Sequence, residues 1–154
     1  MPDDLLSAIS RDEPVEIEDI LALGVPLDAI GPARPRTVLL CAAAVGRTEL
    51  VRALVEHGAS IDLADAHGLT PLHEAAAHGH AQTVKVLVEL GANLEAETFQ
   101  GVTALMIGAA WGHVDVARIL LAAGANRDHR DHAGSIALTI AEEKDHPDIA
   151  DLLR

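Results

Sequence analysis

The feature that most constrains this chain is an internal repeat of 33 residues. Gly68, Gly101 and Gly134 stand at that interval, and other residues keep the same step. These are two series of leucines and a series of Gly-Ala pairs: Leu39, Leu72, Leu105 and Leu138; Leu54, Leu87, Leu120 and Leu153; and Gly58-Ala59, Gly91-Ala92 and Gly124-Ala125. A fixed period of this length predicts stacked structural units, each of which contacts only its neighbours.

One unit, residues 65–97, contains a turn followed by two short helical segments. Asp65 and Gly68 suit a tight turn, because an aspartate side chain can bond its own backbone and glycine accepts a positive φ. Thr70 can cap a helix that begins at Pro71, and a second segment with its own apolar face follows. Neither helix is long enough to be stable alone in water, so each unit must bury its apolar side against its neighbours.

The period, the Asp-x-x-Gly turn and the TPLH run at Thr70–His73 resemble the ankyrin repeat. The resemblance covers nearly the whole chain. It implies an all-α solenoid of about five helix-turn-helix repeats, joined by β-turn or hairpin-like loops. We expect a single domain, 1–154, with a degenerate N-terminal cap, three repeats and a C-terminal cap at residues 1–31, 32–64, 65–97, 98–130 and 131–154.

The chain is poor in aromatic residues. It has one Phe, one Trp and no Tyr, so its core must be built from Leu, Val, Ile and Ala. Cys41 is the only cysteine, which excludes an internal disulfide. It stands among apolar residues, and we interpret it as a small buried hydrophobe rather than a reactive thiol.

The net charge is −13, which argues against a nucleic-acid partner, because contacts with phosphates need a basic surface. A protein partner with a basic patch fits this charge better. No apolar run approaches the roughly 18 residues that a membrane span needs, and the acidic start MPDDLL is unlike a secretory signal. We therefore expect no membrane contact and a cytoplasmic location.

Both aromatic residues fall at positions that the periodic core does not use. Phe99 lies in the turn before Gly101, and Trp111 lies at the end of a first helix. The resemblance implies that first helices and turn tips line a concave groove that binds partners. The candidate protein-binding residues occupy these places in several units: Phe99, Gln100, Val102, Trp111, His67, Leu69, His78, Arg34, Arg36 and Val45. The alternative is that Trp111 covers a neighbouring repeat and Phe99 is exposed by chance.

The sequence gives little support for metal binding or catalysis. Nine histidines suggest a metal site, but zinc needs three or four converging ligands and the chain has almost no cysteine to offer. The resemblance implies that His73 ties repeats together and that His80 and His113 stand in a Gly-His break typical of the family. The other histidines are expected to cap or decorate turns. No phosphate loop or nucleophile elbow occurs, and we interpret the scattered carboxylates as a solvated face. No catalytic residue, metal or cofactor is therefore expected.

The sequence thus predicts a non-catalytic protein–protein interaction module, an adaptor or a stoichiometric inhibitor, that is monomeric when alone. Two alternatives remain open. One is a regulatory or assembly subunit that stays in a permanent complex. The other is a metal-binding protein that uses the histidines.

Overall fold

The computed structural model describes residues 3–11, 13–31 and 35–154. All regular structure in these ranges is α-helical, which confirms the all-α prediction of about five helix pairs. The helices are α1 (Asp3–Ser10), α2 (Ile17–Ala22), α3 (Val38–Ala44), α4 (Thr48–Glu56), α5 (Pro71–Ala77), α6 (Ala81–Glu89), α7 (Ala104–Trp111), α8 (Val114–Ala122), α9 (Ala137–Glu143) and α10 (Pro147–Leu153). None of these helices is of the length and hydropathy that crossing a membrane requires.

Threonine side chains cap the N-termini of α3 and α5, each of which is the first helix of its unit. Thr70 Oγ1 accepts a hydrogen bond from the N–H of His73 at 3.4 Å, and Pro71 begins α5, as predicted. Thr37 Oγ1 accepts from the N–H of Leu40 at 3.2 Å and caps α3 in the same way. Each cap satisfies one of the backbone donors that a helix leaves without an intrahelical partner at its start.

The helices form two rows. The first row contains α1, α3, α5, α7 and α9, and the second row contains α2, α4, α6, α8 and α10. Each helix packs against its equivalents in neighbouring units, and from α3 onward it also packs against the other helix of its own unit. The rows enclose one continuous core of aliphatic residues and alanines, which includes the buried Cys41. The core has the composition predicted from the shortage of aromatics.

Three histidines join neighbouring units by hydrogen bonds. Each stands just before a second-row helix, and its Nε2 donates to a carbonyl at the end of the preceding unit's first helix. The pairs are His80 with Ala44 at 3.0 Å, His113 with Ala77 at 3.0 Å and His146 with Ala110 at 3.2 Å. The prediction that the histidines outside the TPLH run and the Gly-His breaks cap or decorate turns is therefore wrong for His146, which joins two units.

Carboxylates join the units in the loops that follow the second-row helices. Each accepts a hydrogen bond from a backbone N–H of the following unit. The pairs are Asp28 with Ser60 at 2.8 Å, Asp62 with Asn93 at 2.9 Å and Glu95 with Asn126 at 2.8 Å. These acids therefore hold the stack together as well as carrying charge.

Gly79→Ala is expected to destabilise the fold more than Gly91→Ala. Both glycines have a positive φ, +72° and +92°, so alanine strains the backbone at either position by about 1–2 kcal/mol. At Gly79 an added Cβ would also lie 2.6 Å from His113 Nδ1, whereas at Gly91 nothing lies within 4 Å. The ring of His113 must then move away from its acceptor on Ala77. Urea unfolding of both variants measures the difference, and equal losses would show that this hydrogen bond does not stabilise the stack.

Candidate functional site

Two turn tips, residues 65–69 and 98–102, are each held by the side chain at the start of the turn. Asp65 Oδ1 accepts hydrogen bonds from the N–H groups of His67 at 2.8 Å and Leu69 at 3.0 Å. Thr98 Oγ1 accepts in the same way from the N–H groups two and four residues later, both at 3.3 Å. The N–H of Phe99 donates to the carbonyl of His67 at 3.2 Å, which links the two tips. The side chains at these tips are therefore presented from a fixed backbone.

An apolar cleft opens between these two tips and the first-row helix α7. Its volume is about 330 Å³. It is lined by His67, Leu69, Thr98, Phe99, Gln100, Val102 and Ile107, and we call it the Phe99 cleft. The side chain of Phe99 is 72% exposed at its rim, while Leu69, Val102 and Ile107 are half-buried. The cleft thus offers apolar surface to solvent on a rigid support.

His73 supports one wall of the Phe99 cleft. Its Nε2 donates to the carbonyl of Val102 in the next unit at 3.1 Å, and the N–H of Thr70 donates to its Nδ1 at 3.0 Å. Nδ1 is therefore the unprotonated nitrogen, and the ring is neutral. The link between repeats that the resemblance implies for His73 is present.

A second cleft lies beside the first. Its volume is about 300 Å³, and it is lined by Pro35, Arg36, Asp65, Ala66, His67 and Glu74. We call it the Glu74 cleft. Arg36 Nη2 pairs with Glu74 Oε1, and only 9% of the Glu74 side chain is exposed. His67 lines both clefts, so they form one continuous surface.

Burial raises the pKa of Glu74, and the nearby Arg36 and His78 oppose this shift. Desolvation disfavours the charged carboxylate, and a positive charge beside it favours that form. The interpretation of the carboxylates as a solvated face is therefore wrong for Glu74. A buried carboxyl with a perturbed pKa that lines a cleft marks a candidate functional site.

The remaining candidates lie at the ends of first helices. Trp111 is the last residue of α7, lines neither cleft and is 66% exposed. Ile107 precedes it by one helical turn and therefore lies on the same face of α7, which extends the surface from the Phe99 cleft toward the indole. His78 is the C-terminal cap of α5, and its Nδ1 donates to the carbonyl of Glu74 at 3.0 Å. Val45 is the C-terminal cap of α3 and is half-buried against the core.

The structure therefore brings together most of the residues proposed from the sequence. Five of them line the Phe99 cleft: His67, Leu69, Phe99, Gln100 and Val102. Arg36 lies in the adjacent Glu74 cleft, and Arg34 falls outside the described residues. Glu74 and Ile107, which are 33 residues apart, were not among the residues predicted from the sequence. The sequence did offer one indication for Glu74, which is a charged residue within the mostly apolar helix α5.

Metal ligands do not converge in the described ranges. No group of three or more His, Cys, Asp and Glu side chains is placed there to hold a metal ion. Two of the histidines, His78 and His80, stack with ring centroids 6.0 Å apart, but Nε2 of His80 is already bonded to the preceding unit.

His73 gives the stability a defined pH dependence. Burial lowers its pKa below the usual 6.5, although hydrogen bonds to the carbonyls of Val102 and Ala96 partly oppose the shift. Below about pH 6.5 the unfolded chain binds a proton that the folded chain does not, so the free energy of unfolding falls until the lower folded pKa is reached. Urea unfolding above and below pH 6.5 should show this loss. The loss should be smaller in His73→Gln, and an identical pH profile in that variant would contradict the assignment.

Two family descriptions match the chain in sequence. Residues 6–98 match a model described as ankyrin repeats in three copies, and residues 100–132 match a model of a single ankyrin repeat. No curated protein matches the chain. The family matches cover most of the 154 residues. They include the end of α1 from Leu6, all of α2 and every lining residue of the two clefts except Phe99. The chain therefore belongs to the ankyrin-repeat family.

Proposed function

We propose that this chain is a non-catalytic module that binds a partner protein through its turn tips and first helices. The surface is centred on the Phe99 cleft and extends along α7 to Trp111. Ankyrin repeats generally act as protein–protein interaction modules and are typically non-catalytic, which supports this role. By occupying a partner's surface the chain acts as an adaptor or a stoichiometric inhibitor, and it is monomeric when alone.

One observation carries the proposal: the chain exposes both of its aromatic side chains. Phe99 and Trp111 are 72% and 66% exposed, while the core is built from aliphatic residues and alanine. Large aromatic side chains gain much free energy when they are buried, and tryptophan is enriched among the residues that dominate binding energy. The exposure of Trp111 also argues against the alternative that it covers a neighbouring repeat. The pair therefore supplies two anchors for a partner.

The fluorescence of Trp111 tests this proposal, because it is the only tryptophan in the chain. The free protein is expected to emit as a solvated indole and to be readily quenched by acrylamide. When a partner covers the surface, the emission should shift to the blue and quenching should fall. Emission typical of a buried indole in the free protein would refute the proposal. So would a bound partner that leaves both the emission and the quenching unchanged.

A further inference from the structure

The two adjoining clefts differ in chemistry. The Phe99 cleft offers apolar side chains, among them Leu69, Val102 and Ile107. The Glu74 cleft holds two carboxylates and one guanidinium, so its charge is negative when all three are ionised. The shared lining residue His67 places the apolar and the negative regions side by side.

The carboxylates of the Glu74 cleft keep oxygens that accept no hydrogen bond within the described part of the chain. Glu74 Oε1 pairs with Arg36, whereas Oε2 lies 3.8 Å from His78 Nδ1, a distance too long for a hydrogen bond. His78 Nδ1 is instead engaged with the carbonyl of Glu74. Asp65 receives both of its backbone donors on Oδ1, which leaves Oδ2 open. The cleft therefore retains two acceptor oxygens suited to a cationic group.

The surroundings of Glu74 make it a strong acceptor. Its side chain is only 9% exposed, so part of the cost of removing a carboxylate from water is already met in the folded chain. A cation that approaches such a group interacts across a lower dielectric than at an open surface. The net charge of −13 adds long-range attraction for basic partners and repels acidic ones.

We propose that the two clefts together bind an extended segment of a partner protein that carries a large apolar side chain close in sequence to a lysine or arginine. The apolar side chain fills the Phe99 cleft, and the cation bonds Glu74 Oε2 and Asp65 Oδ2. This inference rests on the proposed function and specifies its partner. The adjacency of the clefts sets the short spacing between the two side chains.

Selection of random peptides displayed on phage, with the full chain as the target, tests this inference. The enriched peptides are expected to carry Lys or Arg near Leu, Ile, Met, Phe or Trp. In a synthetic copy of an enriched peptide, replacing the basic residue with glutamine should weaken binding about tenfold or more, because a hydrogen bond between charged groups is lost. Glu74→Gln should weaken binding of the original peptide to a similar degree. The two changes should not add, since they remove the same contact.

Glu89→Gln is the matched control. Glu89 also pairs with an arginine of the preceding unit, with its Oε2 3.3 Å from Arg52 Nη2, but the pair joins the second-row helices α4 and α6, away from the clefts. This variant should keep the affinity of the wild type. The change on the peptide side leaves the protein intact, so the inference stays testable even if Glu74→Gln unfolds.

The outcomes separate this inference from the proposed function. Peptides that require Phe99 but lack basic residues, and bind Glu74→Gln normally, would overturn the inference and leave the proposed function standing. Peptides that bind Phe99→Ala as well as the wild type would overturn the proposed function. If the selection enriches no binding peptide, the inference that an extended segment occupies the clefts is wrong.

Discussion

Leu87→Ala is expected to lower the free energy of unfolding by about 2–5 kcal/mol, the usual range for removing a leucine from a packed core. Leu87 is completely buried in α6, which packs against α4, α5 and α8. The cavity that the substitution leaves therefore lies where three units meet. Each unit is stable only through its neighbours, so the loss acts on the whole stack.

Urea unfolding monitored by circular dichroism measures this effect. Leu63→Ala provides the control, because Leu63 is 38% exposed and its truncation leaves no enclosed cavity. The control should lose much less stability than Leu87→Ala. Equal losses in the two variants would contradict the packing described for the second row.

The fold follows from the sequence because its signals are local and repeated. The capping residue Thr70, Pro71 and the turn residue Asp65 act within a few residues of their own positions, and the structure confirms each of them. The leucine series predicted the core for the same reason, since a helical face and a fixed period determine which side chains meet. The same pattern of turn and apolar residues recurs in successive repeats, which strengthens the prediction of the fold.

Contacts between units were harder to predict. His146 lies one period after His113 and two periods after His80, but this spacing alone does not indicate that each ring reaches a carbonyl of the preceding unit. Likewise, the pairing of Arg36 with Glu74 depends on how a turn of one unit lies over the first helix of the next. Such contacts depend on the rotation and translation between repeats, which the period alone does not specify.

The candidate site was predictable in location but not in chemistry. Position within the repeat identified His67, Leu69 and Val102 as candidate binding residues, and the structure places them with Phe99 in the lining of one cleft. The sequence did not reveal the open carboxylate of Glu74, because the residue's burial follows from packing between units. Trp111 lies outside both clefts, so its part in the surface rests on its exposure and its place on α7.

Removing both aromatic side chains is expected to weaken partner binding at least about thirtyfold while the fold is retained. Truncating an interface residue that dominates binding typically costs 2 kcal/mol or more. Phe99 and Trp111 are mostly exposed and lie outside the core, so their loss should change the free energy of unfolding by well under about 2 kcal/mol. The double variant Phe99→Ala with Trp111→Ala therefore separates binding from folding.

Leu21→Ala with Leu23→Ala is the matched control for the double variant. These leucines are 44% and 47% exposed at the end of α2, on the second row. The control removes two exposed apolar side chains of the same fold without touching either cleft. It should bind a partner as tightly as the wild type does.

The most direct test of the interaction surface is the dissociation constant of one partner, captured from the cells that produce the chain, for the wild type and both double variants. Isothermal titration calorimetry gives the constants, and urea unfolding gives the stabilities. We predict a loss of at least about thirtyfold for Phe99→Ala with Trp111→Ala, no loss for the leucine control, and wild-type-like unfolding of the aromatic variant. Undiminished affinity in the aromatic variant, or its unfolding at far lower urea than the control, would contradict the assignment of this surface to binding.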